Sequence, residues 1–239
     1  MSYRCKSRSI AWASSFCRQY GIRFPLAMIR QTVLSVSAPR EEIPSALHTA
    51  GASMTRRADG SYTLAISGRG HADVTPQLLS FAPQFLPVFQ RRWRNLAPGG
   101  LEGLLSGHER QKRWRLDRPT PMERTRILDP KAGAKSVALT YKRAVELVPA
   151  LKDSTVTAAW AGYVGYVDST PDGVPGIGEM DNLPGLVLAS GFSGHGFGIA
   201  PGAGHLIADI VSGKAPIVDP QPYHPNRFQS SAWGKVAEF

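Results

Sequence analysis

The stretch LVLASGFSGHGFGIAPG, residues 186–202, joins a short apolar run to a glycine-rich loop and then to the start of a helical pattern. The apolar run at 186–189 predicts a strand that is buried on both faces. Pro201 suits the first turn of a helix, which we expect to run over about 201–211 and to end at Gly213. Glycines let a backbone approach a flat ligand closely, and a helix start offers unpaired N–H groups and a partial positive charge. This order of elements therefore predicts a site for an electron-rich group.

Two kinds of ligand fit such a loop, whereas two known nucleotide-binding motifs and a hydrolase motif do not match its sequence. A phosphate group fits the helix N-terminus, and so does the pyrimidine edge of a flavin. The loop is not a G-x-G-x-x-G that opens a βαβ unit, and it is not a Walker A loop, since no Gly-Lys-Ser/Thr occurs. It also fails as the nucleophile elbow of a hydrolase, because His195 stands where that motif needs glycine. Ser193 and His195, two positions apart in one loop, are poorly placed to act as nucleophile and base.

The remaining patterns predict a mixture of helices and strands. We expect helices over residues 10–20 and 136–151, and over 75–93 with breaks at Pro83 and Pro87. We expect strands over 29–36 and 155–160, a hairpin with arms 54–57 and 62–66 joined through Asp59-Gly60, and a turn at 170–173. Residues 95–135 are basic and rich in Gly and Pro, so they are expected to be irregular or partly β.

The charge of the chain is concentrated in its first part. The net charge is +10, and residues 1–150 hold 24 Lys and Arg against 10 Asp and Glu. Basic residues flank tryptophans at 91–94 and 110–118, a pattern that nucleic-acid-binding proteins also use. No known nucleic-acid motif accompanies these runs, so a solvated face is favoured and we predict no nucleic-acid partner. A basic nucleic-acid-binding module is the third choice of function.

The two cysteines, Cys5 and Cys17, form no C-x-x-C and cannot build a metal site alone. They favour a reduced, cytoplasmic protein without a bound metal. No apolar run approaches the roughly 20 residues of a membrane helix, and no apolar stretch of signal-peptide length follows the basic N-terminus. We therefore predict no membrane partner.

An ordered series of short motifs over residues 160–202 resembles the C-terminal signature of the FAD-dependent glycine/D-amino-acid oxidase (DAO) family. The series consists of Trp160-Ala161-Gly162, Thr170-Pro171-Asp172-Gly173-Val174-Pro175, Ile177-Gly178, Leu183-Pro184-Gly185-Leu186, the run from Ala189 to Phe197, and Ala200-Pro201-Gly202. Weaker similarity at Ala11-Trp12, at residues 57–62 and at residues 219–228 extends the resemblance over roughly 10–230. The series as a whole is specific, whereas no single member is.

The resemblance implies an α+β fold: an antiparallel substrate-domain sheet with helices, plus a remnant of an α/β FAD-binding domain. The implied domains are residues 1–24, a remnant of the FAD-binding domain, residues 25–150, the substrate-binding sheet domain, and residues 151–239, the flavin-contacting segment. The implied cofactor is FAD, and the implied substrate is a small amine or amino acid that gives a hydride to the flavin and becomes an imine. The implied cofactor-binding residues are Gly191, Ser193, Gly194, His195, Gly196, Phe197, Gly198 and Ile199. His195 and Phe197 have an alternative role in packing and loop hydrogen bonding, and the resemblance names no catalytic side chain.

Two departures from the family pattern qualify this expectation. The chain lacks the initial strand and G-x-G-x-x-G of the family, so we expect the N-terminal Rossmann half to be missing and a second chain to be a possible source of it. The alternative is a non-catalytic remnant. Gly-Tyr-Val also occurs twice in succession over 162–167, which lengthens the path to the 170–173 turn.

The family pattern often places an arginine two positions after the glycine of Trp-x-Gly, and this arginine holds a substrate carboxylate. Position 164 is Val here, and the next Arg is Arg227. We therefore expect the substrate clamp to come from Arg56, with Arg30 and Arg57 as alternatives. Solvent-facing arginines on a basic surface are the simpler explanation of all three.

Overall fold

The computed structural model describes residues 12–66, 69–93, 96–99, 104, 113–163 and 170–229. They fall into two compact units. The loop unit consists of the described parts of Met1–Ile29, Ala72–Arg126 and Val164–Phe239. The sheet unit consists of the described parts of Arg30–His71 and Ile127–Tyr163.

Helices and strands alternate irregularly along the chain, as expected for a mixed α+β fold. In chain order the elements are α1 (Ala13–Gln19), β1 (Ile29–Val36), β2 (Ala46–His48), β3 (Ser53–Arg56), β4 (Tyr62–Ala65), β5 (Gly70–Ala72), α2 (Pro76–Arg92), β6 (Leu96–Pro98), α3 (Pro121–Arg124), α4 (Ala134–Leu147), β7 (Val156–Gly162), β8 (Gly176–Glu179), β9 (Val187–Ser190) and α5 (Gly196–Ser212). Short 3₁₀ helices lie at Pro149–Asp153, Gln221–Tyr223 and Pro225–Phe228.

Antiparallel pairing organises the sheet unit in the order β2-β3-β4-β1, and β7 pairs with the second edge of β1. The hairpin of β3 and β4 confirms the sequence prediction. Its turn works because Gly60 takes a φ of 83° and the Asp59 carboxylate accepts the Ser61 N–H at 3.0 Å. Strand β1 has the predicted bounds, and the bounds of β7 lie within two residues of those predicted for it.

Helix α4 covers one face of this sheet. The strands contribute Leu34, Val36, Met54, Tyr62 and Leu64 to a buried apolar cluster, and α4 packs against them through Val137, Tyr141, Ala144 and Val145. Period-two alternation on the strands and a helical stripe on α4 both point to this layer. The core of the sheet unit therefore lies between α4 and one face of its sheet.

The loop unit has its own core, built around Phe24. Phe24 and Cys17 are fully buried, and the rest of the cluster is Ile22, Leu26, Met180 and Leu188. Phe228 meets the Phe24 ring edge-on at a centroid distance of 5.7 Å. Gly176 of β8 is required at its position, because an added Cβ would stand 2.7 Å from the Phe24 ring. The tail and the β8–β9 pair are thus packed onto one aromatic side chain.

The prediction of two breaks in α2 was wrong, since one helix runs through both Pro83 and Pro87. Each proline removes one intrahelical hydrogen bond, but the helix also buries an apolar stripe that offsets this loss. Phe81 and Phe85 of that stripe pack against Ala27. The Thr75 hydroxyl further fixes the helix start by accepting the N–H of residue 78 at 3.1 Å.

Two predictions around the glycine loop also need correction. Strand β9 is not buried on both faces as in a parallel sheet. Among the residues that the structure describes it pairs only with β8, in antiparallel fashion, and its residues alternate between half-buried and buried. Helix α5 begins at Gly196, so Pro201 lies inside it instead of in its first turn. The turn closed by His195 and Phe192 ends just before the helix, and Pro201 stands in the second helical turn, where it removes one intrahelical hydrogen bond. The predicted end at Gly213 is confirmed, with a φ of 68°.

The loop-unit core gives a pH-dependent prediction. Burial raises the pKa of the Cys17 thiol to about 12. Because the folded pKa lies above the unfolded one, the stabilisation is complete below about pH 9 and is lost as the pH rises toward 12. We expect the free energy of unfolding to fall by about 2 kcal/mol more between pH 8 and pH 10.5 in the natural chain than in Cys17→Ala. Denaturant titrations at both pH values measure this, and equal falls in the two proteins would contradict it.

Candidate functional site

The glycine loop turns the chain sharply between β9 and α5. Gly191, Ser193 and Gly194 have φ angles of 90°, 51° and 83°. Ser193 is the one non-glycine residue with positive φ in the described part of the chain. It is buried, and its hydroxyl donates to the Gly191 carbonyl at 3.3 Å, which helps to hold this uncommon conformation. The His195 N–H then donates to the Phe192 carbonyl at 2.9 Å and closes the turn.

The turn delivers a helix N-terminus without a side-chain cap. His195 is the N-cap residue of α5, its side chain makes no capping hydrogen bond, and the first turn contains no acidic residue. The N–H groups of Gly196, Phe197 and Gly198 have no acceptor within the helix, because no carbonyl lies four residues before them in it. Within this described helix start, neither a capping side chain nor a first-turn acid therefore opposes the partial positive charge.

Glycine leaves the surface of this helix start open. An added Cβ at Gly198 would have no heavy atom within 4 Å, whereas one at Gly196 would touch Phe192 at 3.4 Å. Phe197 is completely exposed, and Ile199 is 42% exposed. The structure thus places all eight predicted cofactor-contacting residues in one turn and the following helical turn, where a flat group has room to approach the backbone.

The sheet unit presents a second face, opposite α4, defined by Val33, Ser35, Thr63, Ala65 and Trp160. In the strand register, the residues of this face form two rows that cross β3, β4, β1 and β7. One row ends at Trp160 and the other at Ala158. The side chains of this face are mostly small or hydroxylated, and Trp160 is 40% exposed. The sequence prediction treated Trp160 only as part of a motif. Its assignment to this face follows from its pairing with Val33 across β7 and β1, a long-range contact that the local pattern does not show.

The three candidate arginines for a carboxylate clamp differ in what they contact. Arg30 donates to the Lys131 carbonyl at 3.0 Å, and Arg57 donates to the Ser35 hydroxyl at 3.4 Å. Arg56 is exposed at the end of β3. Among the described residues, no hydrogen bond or ion pair involves the Arg56 side chain.

Arg227 is committed to a structural ion pair that the sequence prediction missed. Its Nε donates to Asp172 Oδ2 at 2.8 Å and its Nη2 donates to Oδ1 at 3.2 Å, and both side chains are 14% exposed. The guanidinium also donates to the carbonyls of Val174, Tyr223 and His224 and lies 4.0 Å from the centre of the Phe228 ring. The predicted 170–173 turn is confirmed. Its Asp172 also accepts the Val174 N–H, so one carboxylate ties the turn to the tail.

The loop and its flanking elements match a known family. The model of the DAO family, described as FAD dependent oxidoreductase, matches residues 11–210. The chain belongs to this family. The resemblance drawn from residues 160–202 is confirmed. The family match begins at Ala11, within the weaker part of that resemblance.

Curated relatives match about a third of this chain. Glycine oxidase of Pseudomonas aeruginosa is 42% identical over 82 residues, which are 34% of this chain and 22% of the relative. FAD-dependent oxidoreductase domain-containing protein 1 of Mus musculus is 36% identical over 85 residues, 35% of this chain and 17% of the relative. The chain thus aligns with less than a quarter of the length of each of these two relatives.

Solved structures share the fold over nearly the whole chain. L-Amino acid deaminase from Proteus myxofaciens, solved in complex with anthranilate, superposes with a TM-score of 0.82 at 24% identity, over 93% of this chain and 49% of that protein. Glycine oxidase from Geobacillus kaustophilus gives a TM-score of 0.61 at 19% identity, over 92% and 44%. The mixed α+β fold is therefore shared with amino-acid oxidoreductases, and the chain spans about half the length of these structures.

Several sequence predictions lie beyond what the structure describes. The Gly-Tyr-Val duplication falls mostly on residues 164–169, and the basic run at 110–118 is described only from residue 113. Within the described residues, no group of three or more His, Cys, Asp or Glu side chains is arranged to hold a metal ion. No helix in that part of the chain has the length and hydropathy to cross a bilayer.

The Arg227–Asp172 pair supports a stability prediction with a matched control. Arg227→Met leaves a largely buried carboxylate without its cation, and we expect it to cost about 3 kcal/mol. Arg115→Met breaks the exposed Arg115–Asp117 pair, whose side chains are 69% and 59% exposed, and should cost much less, because solvent screens an exposed pair. Denaturant unfolding of both variants tests this difference. Adding Asp172→Asn to Arg227→Met should recover part of the loss, and equal losses in the two single variants would contradict the assignment.

Proposed function

We propose that this chain forms the flavin-ring and substrate part of an FAD-dependent oxidoreductase acting on amines or amino acids. The observation that supports this most directly is the open, uncapped start of α5 in a member of the DAO family. A flat, electron-rich ring edge fits there, because Gly198 leaves room and the first-turn N–H groups lack acceptors in the helix. A phosphate would use the same N–H groups but would not need the space above Gly198.

Each part of the loop has a distinct task in this proposal. Gly191, Ser193 and Gly194 shape the turn, and the backbone of Gly196 to Ile199 lies against the ring. The chemistry that FAD supplies when bound is the acceptance of a hydride from the carbon that carries the substrate nitrogen. The first-turn N–H groups and the helix dipole stabilise negative charge at the ring edge beside them, and no acidic side chain in that turn opposes this effect.

For the substrate, we propose a small amine or amino acid held against the second face of the sheet unit. Glycine oxidase and L-amino acid deaminase, the proteins to which this chain is similar, are both named for amino acids. Arg56 stays the candidate for binding a carboxylate, because Arg30 and Arg57 already donate to groups within the sheet unit. Its pairing with Tyr62 assigns Arg56 to the α4 face, so the carboxylate would have to reach it at the exposed end of β3. The exposed Trp160 offers an apolar surface on the second face.

A second part of the proposal concerns the other half of the fold. We propose that a dinucleotide-binding half, from a second chain or another segment, packs on the exposed apolar residues of α5. The helix exposes Phe197, Ile199 and Val211, and the chain spans about half the length of the solved structures that share its fold. Residues 1–24 and 151–239 would then complete the FAD-binding domain, and residues 25–150 would form the substrate-binding sheet domain. We also propose a cytoplasmic location, which rests on the low cysteine count of the sequence and the absence of C-x-x-C.

Flavin binding tests the loop directly. We expect the purified chain to quench the fluorescence of FAD and of riboflavin with similar affinity, because α5 would contact the ring and not the ADP part. Gly198→Ala places a methyl group in the open space and should weaken flavin binding at least tenfold. Gly204→Ala is the matched control, since its Cβ also meets nothing within 4 Å and both substitutions favour the helix by about 1 kcal/mol.

The outcomes separate the alternatives. Equal flavin binding in Gly198→Ala and Gly204→Ala would contradict the proposed ring position. A folded chain without flavin binding would indicate that the dinucleotide-binding half is indispensable. Flavin that binds but is not bleached by any amine or amino acid under anaerobic conditions would favour the non-catalytic alternative.

The interface with the other half can be tested by co-expression. A polypeptide carrying the N-terminal half of a family relative should raise flavin retention by the natural chain. Phe197→Ser should abolish the gain without lowering the melting temperature, because Phe197 is completely exposed. An undiminished gain in Phe197→Ser would place the contact elsewhere.

A further inference from the structure

A groove of about 730 Å³ lies in the loop unit, and it contains none of the glycine-loop residues. It is bounded by α1, by the segment from Trp114 to Thr120 and by α3 with the residues that follow it. Its lining consists of Phe16, Tyr20, Trp114, Leu116, Asp117, Arg118, Pro119, Thr120, Glu123 and Arg126. A volume of this size matches the range of small-molecule sites.

Two reciprocal hydrogen bonds join the walls of the groove. The Gln19 side-chain amide donates to the Trp114 carbonyl at 2.9 Å and accepts the Trp114 N–H at 2.9 Å. This arrangement holds Trp114 beside α1, although the two residues are 95 positions apart. On α1 itself, the Phe16 and Tyr20 rings lie 5.1 Å apart between centroids, tilted by 55°. Three aromatic rings therefore line one groove.

The acidic side chains in the lining already have partners. Asp117 accepts two hydrogen bonds from Arg115 at 2.9 Å and 2.6 Å, and this contact lowers the pKa of the Asp117 carboxyl. Glu123 accepts the N–H and the hydroxyl of Thr120 at 2.7 Å and 2.9 Å, so it serves as part of the α3 capping box.

The basic side chains in the lining are in a different situation. Arg118 and Arg126 are exposed, and among the described residues neither makes a hydrogen bond or an ion pair. Guanidinium groups bind carboxylate and phosphate in a planar, two-pronged geometry. Arg115 neutralises Asp117 from outside the lining, so three arginines stand against two carboxylates and leave a net charge of +1 beside the aromatic surface.

We propose that this groove binds a planar aromatic anion, that is, a ring system carrying a carboxylate or a phosphate. The aromatic walls provide stacking partners for the ring, and Arg118 and Arg126 bind the anionic group. A cationic ligand is disfavoured by the two free arginines, and an aliphatic anion would leave the aromatic walls unused. This site does not depend on the flavin proposal, since no residue is shared between the two.

Three probe molecules separate the contribution of the aromatic ring to binding from that of the negative charge. 2-Naphthoate has both, 2-naphthalenemethanol has the ring without the charge, and cyclohexanecarboxylate has the charge without the ring. Equilibrium dialysis and saturation-transfer NMR on the full chain should give a Kd of about 1 mM or lower for 2-naphthoate. Binding of the other two should be at least tenfold weaker. AMP in place of 2-naphthoate distinguishes a nucleotide from an aromatic carboxylate as the preferred source of the same chemistry.

Variants locate the binding. Arg118→Gln combined with Arg126→Gln should weaken 2-naphthoate binding at least tenfold, whereas Arg124→Gln, which removes one exposed charge outside the lining, should change it less than twofold. Trp114→Ala should weaken binding, and Trp114→Phe should largely preserve it. Phe197→Ser should leave binding unchanged, which excludes the apolar surface of α5. Undiminished binding in the folded double arginine variant, or equal binding of the three probes, would overturn the proposal.

Discussion

The positive φ angles at Gly191, Ser193 and Gly194 are the constraint on which the rest of the candidate site depends. They turn the chain directly after β9, just before α5 begins. Ser193 holds a conformation that glycine would adopt more easily, at a cost on the order of 1 kcal/mol. The buried position of its side chain and its bond to the Gly191 carbonyl help to maintain the turn. The position of the uncapped helix start follows from this turn.

Around this turn, the loop unit is fastened by contacts between segments that are distant in sequence. Phe24 packs against Phe228 from the tail and against Gly176 of β8. Arg227 brings the tail to the turn at Asp172 and binds three further carbonyl groups. An arginine so fully engaged is not available to a substrate. Arg227 is the next arginine after position 164 and hence the next candidate for the carboxylate-binding arginine of the family pattern. In this structure it has a structural role instead.

Local signals in the sequence predicted most elements, and the errors have a common physical cause. The β3–β4 hairpin was predictable because Asp59-Gly60 determines its turn without help from the rest of the chain. The breaks at Pro83 and Pro87 were wrong because the buried stripe of Phe81 and Phe85, a tertiary contact, outweighs the local effect of proline. The start of α5 was misplaced because Pro201 was given more weight than the turn before it. The Arg227–Asp172 pair and the Gln19–Trp114 contact join residues 55 and 95 positions apart, so no local pattern indicates them.

The composition of α5 is hard to explain by the stability of the described chain alone. Glycine in a helix interior costs about 1 kcal/mol relative to alanine, yet Gly198, Gly202 and Gly204 all stand where an added Cβ would meet nothing within 4 Å. Alanine would therefore fit at each of them and would strengthen the helix. The same helix leaves Phe197 and Ile199 in solvent, which costs apolar burial as well. Both features are accounted for if the helix surface meets a group outside the described chain that needs close access to the backbone. A flavin ring at the first turn, with protein packed beside it, has that requirement.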